Sequence, residues 1–151
     1  MKIRIVTLAK AQEAELRPLE EDYRTRLSRF FSVEFIEIKR EIIKDQKSFM
    51  KDWEKIKGNI GKSLLIMLDE GGKSFTSQGL SEQMNRWMSG GRDICFVIGG
   101  PEGFPDAVKK EADLLLSLSF LTFPHKIVRL LLIEALYRAN DILQGGPYHR
   151  A

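Results

Sequence analysis

The sequence predicts an α/β domain with a mostly parallel sheet flanked by helices. Three observations lead there. Short β-branched or apolar runs alternate with amphipathic helical runs from one end of the chain to the other. Two of those runs, Leu64-Leu65-Ile66-Met67-Leu68 and Ile94-Cys95-Phe96-Val97-Ile98, carry no charged residue, as strands covered on both faces require. No repeat, linker or break in composition divides the 151 residues, so a single domain spanning 1–151 is expected.

Lys2 to Leu8 alternates charged and β-branched residues and reads as the first strand, not as a signal sequence. Leu16, Leu19, Tyr23, Leu27 and Phe30 recur at helical spacing, and Pro18 fits the first turn of that helix. Val33 to Ile38 is the second strand. Phe49, Trp53 and Ile56 mark the next helix, closed by Gly58 or Gly61. After the third strand, Leu64 to Leu68, Thr76 or Ser77 caps a helix whose buried face is Leu80, Met84 and Trp87. Ile94 to Ile98 is the fourth strand, followed by a short helix through Ala107 and Val108. Leu114-Leu115-Leu116 precedes a long helix from Pro124 to about Leu143.

That last helix has one broad apolar face, Val128, Leu131, Leu132, Ala135, Leu136, Ala139, Ile142 and Leu143, suited to the sheet. Leu130, Ile133 and Tyr137 form a second stripe among charges. Either another segment of the same chain covers it, or it is a subunit contact.

Composition narrows the function classes. Hydrophobic residues make up 43% and charged residues 30%, the balance of a soluble globular protein, and no apolar run reaches membrane-spanning length. Cys95 has no partner for a disulfide and is expected in the core, in a reducing cytoplasm. The net charge of +3 gives a pI near 9.0 without a basic tract. An RNA partner would therefore be recognised through shape and a few placed residues, not through bulk charge.

Ligands of open parallel sheets bind beyond the carboxyl ends of the strands, and three such ends are unusual here. They are Leu68-Asp69-Glu70-Gly71-Gly72-Lys73, Gly99-Gly100-Pro101-Glu102-Gly103 and Ser117-Leu118-Ser119-Phe120-Leu121-Thr122-Phe123-Pro124-His125. The glycine turn lacks the dinucleotide spacing, and Gly71-Gly72-Lys73-Ser74 lacks the first P-loop glycine at the required spacing. A ligand without phosphates, such as an adenosyl group, fits better. Two histidines and one cysteine give no ligand-spaced pair, so no metal is expected. His125 reads as structural, at a helix start. The tail Gln144-Gly145-Gly146-Pro147-Tyr148-His149-Arg150-Ala151 sets a stackable ring, an imidazole and a guanidinium side by side. It adds little apolar area, so it is expected to contribute little to stability.

These residues resemble the large-subunit ribosomal RNA methyltransferase H family, the pseudouridine N3-methyltransferases of the SPOUT class. The likeness rests on the three strand ends, on Phe96-Val97-Ile98 leading into the glycine turn, on Glu134-Ala135-Leu136-Tyr137-Arg138-Ala139 and on Tyr148-His149-Arg150. It covers essentially the whole chain, with small departures at Ala9, Ala135 and Ala151.

The resemblance implies a homodimeric enzyme dependent on S-adenosylmethionine (SAM), with a C-terminal trefoil knot that periodicity would not reveal. It implies a SAM pocket at Leu68, at Gly99 and Gly100, and at Leu118, Ser119, Phe120, Leu121, Thr122 and Phe123. It also implies a target pseudouridine in 23S rRNA of the assembled ribosome. Tyr148, His149 and Arg150 become the catalytic candidates: Tyr148 to stack on the base, His149 as first candidate for the N3 proton, Arg150 to hold charge. Whether the tail serves its own subunit or its partner stays open. The competing readings are a SPOUT enzyme of another RNA such as tRNA, and a non-catalytic ribosome-associated module.

Overall fold

The computed structural model describes residues 1–8, 13–39, 46–100 and 102–150; Ala9, Pro101 and Ala151 lie outside the described residues. Strands and helices alternate as β1 (Lys2–Thr7), α1 (Arg17–Leu27), β2 (Ser32–Glu37), α2 (Gln46–Ile60), β3 (Leu64–Ser74), α3 (Ser77–Ser89), β4 (Ile94–Ile98), α4 (Asp106–Lys109), β5 (Leu114–Ser117) and α5 (His125–Leu143). The five strands form one sheet in the order β2-β1-β4-β3-β5, and every pairing is parallel.

Alternating side chains along each strand feed two cores, because successive residues point to opposite faces. Ile3, Ile5, Ile66, Ile94, Phe96 and Ile98 join one core, completed by Leu27 of α1, Leu80, Met84 and Trp87 of α3, and Leu132, Ile133 and Leu136 of α5. Val6, Leu65, Met67, Cys95 and Val97 join the other, beneath Phe49, Trp53, Ile56 and Ile60 of α2 and Val108 of α4. Thus α1, α3 and α5 cover one face of the sheet, and α2 and α4 the other. Cys95 sits inside the second core as expected, and burial pushes its thiol up to about 11.

Local signals resolve the open boundaries. Thr76 is the cap of α3, its hydroxyl accepting from Gly79 N at 2.9 Å. Helix α2 runs through Gly58, and Gly61 follows its end at φ +56°. Pro18 occupies the first turn of α1.

Three expectations change. Strand β3 continues past Leu68 to Ser74, because Lys73 and Ser74 pair with Leu116 and Ser117 of β5 after a shift in register. Leu19 of α1 and Phe30 just beyond its end are exposed while Glu20 is buried, since Arg129 of α5 lies beneath that helix and takes Glu20 as its partner at 3.0 Å. In α5 the buried face is Arg129, Leu132, Ile133, Leu136, Ala139 and Asn140. Ile133 therefore belongs to the chain's own core and not to an outer stripe. Tyr137 is covered by the same chain as well, against Tyr23 of α1 and Tyr148 of the tail, with ring centroids 5.9 Å and 4.7 Å away. The half-buried apolar side chains left along the outer line of α5 are Ile127, Leu131 and Ile142.

Ile133→Ala tests this rotation of the helix. Emptying a fully buried site should lower the unfolding free energy by about 2–5 kcal/mol in denaturant titration. An unchanged unfolding midpoint would return Ile133 to the surface of the subunit.

Candidate functional site

Strands β4, β3 and β5 are neighbours and parallel, so their carboxyl ends lie side by side. This brings together Leu68, the Gly99-Gly100 turn and the 118–123 loop, the three segments singled out in the sequence. Leu68 and Leu118 are half-buried against the core. A Cβ on Gly99 would meet the Phe104 ring at 3.1 Å, a tight approach from which the ring would have to give way by a few tenths of an ångström. A Cβ on Gly100 would meet only Leu8 O, at 3.6 Å, an ordinary contact. Nothing in the fold forbids a side chain at Gly100, which leaves its backbone open to a ligand.

Ser119 shapes the loop after β5. Its carbonyl accepts from Ser117 Oγ at 2.9 Å, and its hydroxyl accepts from Leu121 N at 2.9 Å. Phe120 and Leu121 consequently stand out at 95% and 70% exposure, an apolar projection that needs a ligand or a partner to cover it. Thr122 is exposed and Phe123 half-buried. His125 opens α5, half-buried, and burial beside Lys126 holds it below the ordinary imidazole value, in keeping with a structural neutral ring. Two cavities, of about 390 and 520 Å³, open elsewhere: one is lined by Arg4, Lys62 and Arg92, the other by Met1, Arg29 and Phe30. Both lie at the amino ends of the strands, so cavity size does not mark this site.

The tail does not fray. Gly145 turns the chain at φ +72°, and Gly146 passes so close to the Asp141 carboxylate that a Cβ there would have to displace it. Asp141 Oδ2 then accepts from Tyr148 N at 2.9 Å. The Tyr148 hydroxyl donates to Glu134 Oε1 at 3.1 Å and lies 3.0 Å from the Tyr23 hydroxyl. The Arg138 guanidinium stands over the Tyr148 ring at 4.7 Å and reaches His149 Nδ1 at 3.2 Å. Arg150 is exposed. Burial, followed by the hydrogen bonds with Tyr23 and Glu134, pushes the Tyr148 phenol well above its ordinary value, so it works as a neutral donor. The tail is thus structurally seated, contrary to the sequence expectation. The sequence reading missed its supports, Tyr23, Glu134, Arg138 and Asp141. The Glu134/Arg138 pair at i, i+4 was the available signal, since it lies within one of the runs that carried the resemblance.

The 118–123 loop precedes the start of α5, whereas the tail is seated on its second half, at Glu134, Arg138 and Asp141. Helix α5 starts beside the 118–123 loop and runs away from it. Arg138, which holds His149, lies 13 residues beyond His125, about 20 Å along the axis at 1.5 Å per residue.

Comparison with known proteins fixes what kind of molecule has this arrangement. A family model described as "Predicted SPOUT methyltransferase" matches residues 1–149. The chain belongs to the SPOUT methyltransferase family. Relatives named "Ribosomal RNA large subunit methyltransferase H" include those of Streptococcus sanguinis, 42% identical with 99% of this chain and all of the relative covered, and Deinococcus radiodurans, 40% identical with 99% of each covered. Among solved structures, the tRNA (m1G37) methyltransferase of Aquifex aeolicus shares the fold with a TM-score of 0.59 at 17% identity, over the whole of this chain and 76% of that one. In this SPOUT methyltransferase the described residues include no cluster of three metal-ligating side chains and no helix long and apolar enough to cross a membrane.

The seating of the tail carries a stability consequence. Deleting residues 148–151 removes two aromatic pairs and the hydrogen bonds of Tyr148, which should cost about 2 kcal/mol. Tyr148→Phe keeps the rings and should cost about 1 kcal/mol. Equal melting temperatures for the deletion and the intact chain would contradict the observed packing.

Proposed function

We propose that this methyltransferase acts as a homodimer, transferring a methyl group from SAM to N3 of a pseudouridine in 23S rRNA of the assembled ribosome. The observation that carries the substrate is the full-length likeness, at 36% to 42% identity, to relatives named for methylation of the large ribosomal RNA. The reading places the protein with ribosomes in the cytoplasm and includes the C-terminal trefoil knot implied by the family.

The residues at the strand ends suit SAM. Leu68 and Leu118 offer an apolar floor, Gly100 leaves its backbone accessible, and the loop from Ser119 to Phe123 presents main-chain groups. SAM held there supplies an electrophilic methyl group. The chain's part is to hold the base in line and to stabilise the charge that appears as N3 loses its proton. Tyr148, as a neutral phenol, stacks on the base or donates to it. Arg150 meets a carbonyl oxygen or a phosphate, and His149 acts beside them.

The distance between tail and loop favours a shared site. In a dimer packed antiparallel through the outer line of α5, Ile127, Leu131 and Ile142 would meet their counterparts, and Phe120 and Leu121 would gain cover. The tail of one subunit would then lie over the strand ends of the other.

Mass spectrometry of rRNA from ribosomes lacking the modification, incubated with protein and SAM, tests the reaction. One methyl group at a pseudouridine of 23S rRNA is expected; methylation of tRNA alone would replace this reading with the tRNA one. Gly100→Val should fold normally yet lose SAM affinity by calorimetry, and unaltered affinity would remove the turn from the pocket. Leu131→Asp should give folded monomer in sedimentation, with methylation reduced at least ~100-fold as the shared site is lost. A fully active monomer would refute the shared site.

A further inference from the structure

We infer that Arg138 locks His149 in the neutral Nε2–H tautomer, so that His149 serves the reaction as a hydrogen-bond donor and not as the base that takes the N3 proton. The inference rests on the methyl-transfer reading for its chemistry, but not for the tautomer itself. A guanidinium carries donors and no acceptor. Arg138 Nη1 lies 3.2 Å from His149 Nδ1, so Nδ1 must present its lone pair, and the ring proton of the neutral imidazole sits on Nε2. An imidazolium would set an N–H of its own against the Arg138 N–H, with two like charges in contact.

Arg138 itself is held firmly. Its Nε and Nη2 donate to Glu134 Oε1 at 3.1 and 2.6 Å, and its guanidinium lies over the Tyr148 ring. Glu134 keeps Arg138 above its ordinary value, so the donor is a cation throughout the working range. The other polar groups around the tail are already engaged. Glu134 also accepts from the Tyr148 hydroxyl, Tyr23 of α1 pairs with that same hydroxyl, and Asp141 accepts from Tyr148 N. Arg150 adds a second positive charge next to the ring in sequence. The Arg138 contact therefore takes up the one lone pair of the neutral ring and leaves Nε2 with a proton to donate.

For an imide nitrogen between two carbonyls the division of labour follows. N3 gives its proton to water, and its electron pair forms the bond to the methyl carbon. The pair of the breaking C–S bond stays on sulfur. The negative charge that spreads onto the flanking carbonyl oxygens meets Nε2–H of His149, a donor already positioned when the charge appears. Arg138 is a positioning residue: it touches no substrate and acts through the ring.

Nitrogen NMR of the full-length protein labelled with ¹⁵N-histidine reads the tautomer directly. The chain has two imidazoles, and His149→Gln identifies which signals belong to the tail. At pH 8, His149 should show the Nε2–H pattern. Arg138→Lys, still a donor without an acceptor, should keep it, and Arg138→Met should release the ring to the mixture of tautomers of free imidazole. In single-turnover methylation of ribosomes, His149→Gln, which retains an N–H donor, should be at least ~10-fold faster than His149→Ala. Loss of a proton acceptor would instead leave the two equally slow. An Nδ1–H ring in the wild type, or Gln and Ala variants of equal rate in an active enzyme, overturns the inference. A wild type that shows the Nε2–H ring but methylates no ribosome overturns the methyl-transfer reading alone and leaves the tautomer assignment standing.

Discussion

A buried cation holds the last helix in place, and the rest of the architecture depends on it. Arg129 is 6% exposed, with Nε 3.0 Å from Glu20 Oε2 of α1 and Nη1 2.7 Å from Glu37 Oε1 at the end of β2. Its guanidinium also lies over the Phe35 ring, 4.4 Å from the centroid. The contact of Nε with Glu20 is ionic and not a well-aimed hydrogen bond, as the geometry at Nε shows. A cation in this position tolerates no loss of partner: stripping one ion from such a pair costs about 3–5 kcal/mol. The cluster ties α5 to the first helix and to the edge of the sheet, and so fixes the rotation of α5. With Arg129 inward, Leu132, Ile133 and Leu136 follow it into the core. Glu134 and Arg138 are then turned to the side where the tail returns.

From that rotation the chemistry follows. Glu134 anchors both Arg138 and the Tyr148 hydroxyl, and Asp141 anchors the main chain between them. Tyr148 and His149 are held against the last helix, a firmer support than a loose terminus would give. The strand ends proposed for the methyl donor rest on a different part of the scaffold, the parallel edge formed by β4, β3 and β5. On the proposed reading, a second copy of the chain brings a tail to the strand ends.

Much of this was legible in the sequence. Continuous apolar runs such as Ile94 to Ile98 identified the central strands, because burial on both faces leaves no room for alternation. Pro18 marked a helix start by local chemistry alone, and Thr76 or Ser77 and Gly58 or Gly61 narrowed two further helix ends to a pair of positions each, of which the fold uses Thr76 and Gly61. The three strand ends and the Tyr148-His149-Arg150 tail were visible as departures from what a mere turn or terminus requires. What escaped was set by contacts distant in sequence. Burial of Glu20 depends on Arg129, 109 positions away, so periodicity assigned the α1 face to Leu19 and Phe30 instead. The outer stripe of α5 was misread for the same reason, since only the neighbouring helices decide which apolar line is covered. The extension of β3 to Ser74 required the register of β5. The seating of the tail required Gly146 to pass against Asp141, a contact that spacing alone does not announce.

The central claim is that one subunit's tail completes the site formed by the strand ends of the other. Mixed dimers test it most directly, pairing a subunit lacking residues 148–151 with a subunit carrying Gly100→Val, each inactive as its own homodimer. If the site is shared, the mixed dimer contains one intact pocket and one intact tail on opposite chains, and methylation of ribosomes returns to about half the rate per wild-type dimer. Verified mixed dimers with no methylation would confine the tail to its own subunit and contradict the account.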